Sequence, residues 1–265
     1  TPVQRMEGSG AGHRPPGPAG TRTSPGDRSA DAGHRRGAVD VRARTAWVAG
    51  GTGLVGRSVL PLLLASQRYS SVHAFVRSQA SALPPSIKLH RHRVDFETLA
   101  STPSSPHTAA DDVFILLGTT LREAGSEAAF RRVDFDAVLA VARASRLAGA
   151  TRIAVVSAVG ADKASRVFYN RVKGEMEQAI AALGFRSVVI ARPSLLLGDR
   201  RALGQQARPA EEWAARVLSP VRRFVPVRWR PIPARTVARA MVRAMIEGQP
   251  GIRVLHSSSL FTLGA

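Results

Sequence analysis

Tyr169 stands four residues before Lys173 in the stretch FYNRVKGEME, residues 168–177. That spacing puts both side chains on one face of a helix. A phenol with its ordinary pKa near 10 gives little phenolate at neutral pH. A neighbouring ammonium lowers that pKa and lets the phenol act as acid or base. The chain holds only two tyrosines and three lysines, Lys88, Lys163 and Lys173, so abundance does not account for the spacing. Twelve residues before the tyrosine, Ser157 in AVVSAVGA offers a hydroxyl that could polarise a substrate carbonyl. The bland alternative is a buried tyrosine beside a solvated lysine.

A glycine cluster upstream changes the balance. AGGTGLVGR, residues 49–57, holds Gly50, Gly53 and Gly56 at one spacing and Gly51, Gly53 and Gly56 at another, with Thr52, Leu54 and Val55 between them. Glycines at these intervals permit a tight turn, close backbone approach to a pyrophosphate, and close helix–strand contact. The following helix would turn its unpaired N–H groups toward the anion. Position after an apolar strand and before a helix points to a dinucleotide cradle. An NAD site usually carries an acid at the end of the second strand. This chain has Arg77 there, which can pair with a 2′-phosphate, so the expected cofactor is NADP (NADPH), with NAD the less favoured choice. An oxidised nicotinamide would add positive charge near Tyr169.

These residues need strands and helices to position them. From Thr45 onward, apolar strands are predicted at 45–50, 72–77, within 87–95, and at 111–118, 151–158 and 186–193. Helices are predicted at 54–66, within 124–148, and through 166–183. Their alternation, with largely continuous apolar strands, argues for an α/β fold, a doubly wound parallel sheet of Rossmann type. Ser157 then falls at the carboxyl end of the fifth strand, where ligands bind in such sheets. Residues 194–250 read as a small C-terminal substrate lobe, with helices near 209–218 and at 234–247, and IRVLH (252–256) returns to the sheet. Residues 45–265 make one NAD(P)-binding domain. Residues 1–44 contain eight glycines and five prolines without apolar periodicity, which predicts a disordered, dispensable tail.

Composition excludes several classes. There is no cysteine, so disulfides, thiolate metal sites and cysteine nucleophiles are absent, and no metal site is expected. No apolar run approaches the roughly 18 residues of a bilayer span, and no secretory h-region is visible. A cytoplasmic location without a membrane partner is the expectation. The net charge of +19 rests on 35 arginines against three lysines, which suggests coding bias more than phosphate contacts. A nucleic-acid partner is not expected, because aromatic side chains for base stacking are only 5% of residues. A homodimer is compatible with this reading.

The motifs GGTGLVG, VDFE (94–97), LLGTT (116–120), SAVGAD (157–162), YNRVKGEME and RPSLLLGDR (192–200) together resemble the short-chain dehydrogenase/reductase superfamily. More narrowly, they are similar to its atypical branch of bacterial NAD(P)H-binding proteins and Tat-interacting-protein-like oxidoreductases. The likeness runs from about residue 45 to about 256. It implies that Tyr169 is the general acid/base and that Lys173 lowers its pKa and binds the nicotinamide ribose. It implies an adenine contact for Asp95, a cofactor-lining role for Gly118 and Thr119, and a place near the nicotinamide for Pro193 and Ser194. The segment 198–212 would border the substrate pocket. Where relatives often read Ser-Ser, this chain reads Ser157-Ala158, which leaves Thr119 or Thr120 as alternative polarising hydroxyls. The expected function is NADP-dependent hydride transfer to or from a small carbonyl or alcohol substrate. A non-catalytic redox-sensing NADP(H)-binding protein is the alternative.

Overall fold

The computed structural model describes residues 42–78, 83–96, 99, 108–198 and 226–265. β1 (Arg44–Ala49) leads through the glycine loop into α1 (Gly56–Ala65). β2 (Tyr69–Val76), β3 (Leu89–Arg93) and β4 (Asp112–Ile115) follow. The next crossover is built from α2 (Leu121–Ala124), α3 (Glu127–Arg131), a π-helical turn (Arg132–Asp136) and α4 (Ala137–Leu147). β5 (Arg152–Val156), α5 (Phe168–Ala181) and β6 (Ser187–Arg192) come next. Beyond them, the short β7 (Leu196–Leu197) pairs in parallel with β8 (Ile232–Pro233). α6 (Ala234–Glu247), β9 (Gly251–His256) and α7 (Ser257–Leu263) close the chain.

Seven strands form one sheet in the order β3-β2-β1-β4-β5-β6-β9, every pair parallel. The winding direction reverses between β1 and β4, which opens a crevice at the carboxyl ends of those strands. Successive residues of the inner strands feed opposite layers. Val48, Phe114, Ala154 and Val189 enter the core shared with α1 and α6. Trp47, Val113, Ile153 and Val188 enter the core shared with α4 and α5. Burial on both faces is why these strands read as continuous apolar runs.

The amino ends of four strands are tied by one carboxylate. Asp112, fully buried, accepts from the Tyr69 hydroxyl at 2.6 Å and the Arg152 Nε at 2.5 Å, with the Arg44 guanidinium at 3.5 Å. Burial first, and then Asp112, pushes the Tyr69 phenol well above its usual range, so it stays a donor.

Several expectations shift. The sheet begins at Arg44, inside the segment assigned to the tail, and β2 starts at Tyr69 rather than residue 72. The expected fourth strand at 111–118 shortens to Asp112–Ile115, because 116–120 leave the sheet to form a loop at its carboxyl end. The helix expected within 124–148 is broken into two helices and a π turn. α6 matches its expected range and β9 joins the sheet beside β6. The tail up to residue 41 and the helix near 209–218 lie outside the described residues.

Candidate active site

The glycine loop leaves β1 at Gly50 with φ +84°, a conformation L side chains rarely adopt. A Cβ on Gly50 would also lie 2.6 Å from the Leu116 carbonyl carbon. The Gly53 N–H donates back to the Gly50 carbonyl at 3.0 Å, which closes the turn. Gly56 opens α1 so close to this turn that a Cβ there would sit 2.1 Å from the Gly50 oxygen. The loop is thus folded tightly onto the start of α1, leaving backbone rather than side chains at the cradle. Such a surface fits a dinucleotide pyrophosphate. The Thr52 carbonyl accepts from Arg57 at 3.2 Å, and Leu54 lies against Gly198 just past β7.

The flanking positions take up their places at the same end of the sheet. Arg77 follows β2 directly and is exposed, and Asp95 lies two residues past β3, also exposed. Gly118 and Thr119 lie in the loop after β4. The Thr119 hydroxyl is within 3.4 Å of Glu123, and the Thr120 hydroxyl accepts from the Glu123 N–H as the N-cap of α2. The Thr119 hydroxyl is thus aimed as a donor at Glu123, while Thr120 serves the helix as an acceptor. Ser157, immediately after β5, is 4% exposed and its Oγ has no hydrogen-bond partner among the described residues. Its own N–H holds β6 through the Ala191 carbonyl at 2.7 Å, and Val159 N–H donates to the Pro193 carbonyl at 2.9 Å. Ser194 donates its hydroxyl to the Arg230 carbonyl, which joins the segment after β6 to the chain before β8.

α5 carries the remaining groups. Tyr169 is half-buried in its first turn, its ring tilted against Phe130 at 5.3 Å. Lys173, one turn on, is 3% exposed. Its Nζ donates to the Val156 carbonyl at 3.3 Å and lies 2.7 Å from Asp134 Oδ1. The separation is that of an ion pair, although Oδ1 has no aligned hydrogen bond; a freely rotating ammonium at 2.7 Å makes the charge contact the weightier fact. Burial pulls the Lys173 pKa down, but Asp134, Tyr169 and Glu177 together outweigh it, and the net direction is up.

Three participants went unread in the sequence. Asp134, fully buried in the π turn, also accepts the Thr119 N–H at 2.9 Å. Glu177 and Arg192 form a two-pronged pair at 2.9 and 2.5 Å beside Lys173. Glu177 had a signal available, since Tyr169, Lys173 and Glu177 recur every four residues on one helix face. Asp134 and Arg192 had none, because only the folded chain brings the crossover after β4 and the end of β6 to α5.

Comparison with known proteins identifies the family. Residues 50–214 match the model of a family described as NAD(P)H-binding. The chain is 32% identical over 227 residues to Protein HTATIP2 of Rattus norvegicus, covering 83% of this chain and 89% of that one. It is 34% identical over 221 residues to Protein fmp52, mitochondrial, of Aspergillus fumigatus, covering 81% and 92%. Its fold is similar to that of a UDP-glucose 4-epimerase from Thermotoga maritima solved with UDP-glucose, with a TM-score of 0.59, 17% identity, and coverage of 83% and 81%. A glycine cradle at the switch point of a parallel sheet, with the matched family model and two relatives aligned over most of their length, places the chain in the NAD(P)H-binding family of Rossmann-fold, oxidoreductase-like proteins.

Proposed function

We propose that the chain is an NADP-dependent oxidoreductase acting on a small carbonyl or alcohol substrate. The observation that carries this is the buried Ser157 hydroxyl, with no partner among the described residues, at the carboxyl end of β5, on the strand whose Val156 carbonyl accepts from Lys173. A buried hydroxyl without a partner is costly, and a substrate carbonyl would supply the acceptor. Bound NADPH would supply the hydride. Ser157 donates to the carbonyl oxygen and withdraws charge from its carbon. Tyr169 gives its phenolic proton to the same oxygen, and takes a proton back in the oxidation direction. Lys173 holds the ribose and stabilises negative charge on the phenol. Gly50 to Gly56 cradle the pyrophosphate, Asp95 meets the adenine, Gly118, Thr119, Pro193 and Ser194 line the cofactor, and exposed Arg77 reads the 2′-phosphate.

NADPH oxidation against a panel of aldehydes and quinones tests this reading. Ser157→Ala should lower turnover by about 10²–10³, the usual cost of one charge-stabilising donor, while NADPH affinity holds. Equal turnover in the two proteins would remove Ser157 from the mechanism.

A non-catalytic NADP(H)-binding role is the second reading. It is favoured by Asp134, whose carboxylate offsets the Lys173 charge and so weakens its help to the phenol. Tight NADPH binding with a silent substrate panel would support it. The fungal relative is named mitochondrial, so fractionation should weigh that location against the cytoplasm.

A further inference from the structure

We propose that Asp134 is a positioning residue of this site: from beneath the loop after β4, its carboxylate holds the Lys173 ammonium in place and in its charged form. The inference rests on the reading of Lys173 just given.

The geometry divides the carboxylate between two tasks. Oδ2 accepts the Thr119 N–H at 2.9 Å, and Oδ1 faces Lys173 Nζ at 2.7 Å. One side chain therefore couples the loop after β4 to the ammonium on α5. Asp134 reaches inward from the π turn, where the wider helical winding breaks the ordinary register between α3 and α4. Asp134 is 0% exposed and Lys173 3%, so either charge alone would be strongly disfavoured.

The other groups facing Lys173 do not replace this partner. Tyr169 and Glu177 lie on its own helix, and the Val156 carbonyl comes from β5. Glu177 is already gripped at both oxygens by Arg192 from β6. Asp134 on one side and the Val156 carbonyl on another fix the direction of the ammonium's remaining N–H. Gly118 lies directly over the pair: a Cβ there would be in ordinary contact with both, 3.5 Å from Asp134 Oδ1 and 3.9 Å from Lys173 Nζ.

The three lysines of the chain make the test direct. The full-length protein, with lysine labelled by ¹³C at Cε, gives three resonances to follow against pH, with and without NADPH. In the wild type, Lys173 should titrate above exposed Lys163. In Asp134→Asn, which keeps the side-chain shape and an acceptor for Thr119, burial dominates and Lys173 should titrate below Lys163. NADPH affinity of this variant should then fall about tenfold as pH rises through the lowered midpoint, while the wild type holds. A Lys173 midpoint that stays above Lys163 in Asp134→Asn overturns the proposal, as does an affinity that ignores the titration. If Asp134→Asn does not fold, recovery of the fold in Asp134→Asn/Lys173→Met supports the pairing, and failure to recover overturns it. Wild-type protein that binds no NADPH would sink the cofactor reading instead, because the lysine titration is read without turnover.

Discussion

Tyr169→Phe keeps the ring against Phe130 and removes the one oxygen on it that can carry a proton. Turnover should fall by about 10²–10⁴, the usual share of general acid–base catalysis, with NADPH affinity nearly unchanged. Stopped-flow turnover and fluorescence titration of the two proteins check both halves. Arg77→Asp addresses a different atom. On the proposed NADP reading, replacing its guanidinium by a carboxylate opposite the 2′-phosphate removes a charge-assisted bond of about 1.5–3 kcal/mol, so an NADP-over-NAD preference should drop by about tenfold to a hundredfold. An unchanged ratio of dissociation constants would assign the phosphate to another residue. At this scale, what was legible in the chain was whatever is local. The glycine intervals and the Tyr169–Lys173 spacing lie within single turns or loops, and the structure keeps them there. Asp134 and Arg192 were invisible because their meaning comes from partners on other elements.

Among the elements, β2 and β3 carry a pH-dependent joint. His73 Nδ1 lies 2.8 Å from His92 Nε2, its Nε2 lies 2.8 Å from the Ser71 hydroxyl, and its ring stacks on His90 at 4.8 Å. Burial, with His92 and His90 nearby, lowers the His73 pKa to about 4, and burial lowers that of His92 too. The unfolded chain binds protons near 6.5 while folded His73 does not, so its contribution is full above about 6.5 and is lost as pH falls toward 4. The bare shift corresponds to about 3 kcal/mol, which solvent near the sheet edge reduces to about 1–2 kcal/mol. Urea unfolding at pH 7 and pH 4.5 should show that difference, and His73→Asn should flatten it. Element types were largely legible, as α6 and the buried strands illustrate. The π turn was not, because its sequence, RVDFD, carries no breaker and its winding answers to the tertiary site.

For the sheet as a whole, one end is tied together and the other carries the glycine cradle. Asp112 joins the first residues of β1, β2 and β5 to its own strand. Asp112→Ala would leave Tyr69 and two guanidinium groups without their common acceptor, and should cost about 3–5 kcal/mol, read from the urea midpoint. Cofactor affinity per folded molecule should change little, since the cradle lies at the opposite strand ends. The alternation of strands and helices forecast a doubly wound sheet. The short β7–β8 pair and α7 were not forecast, because two-residue strands and a serine-rich seven-residue helix carry too little periodicity to read.

The π turn has one last consequence, for how this chain can tolerate changes in length. Removing one residue from 132–136 would let the stretch relax into ordinary α-helix, and because the π winding takes more residues per turn, four α residues turn the chain about as far as these five. α4 would keep its apolar face on the sheet, while Asp134 would lose the turn that carries it to Lys173. A sequence aligned here with a one-residue gap would keep its core and would have to hold its lysine by some other means.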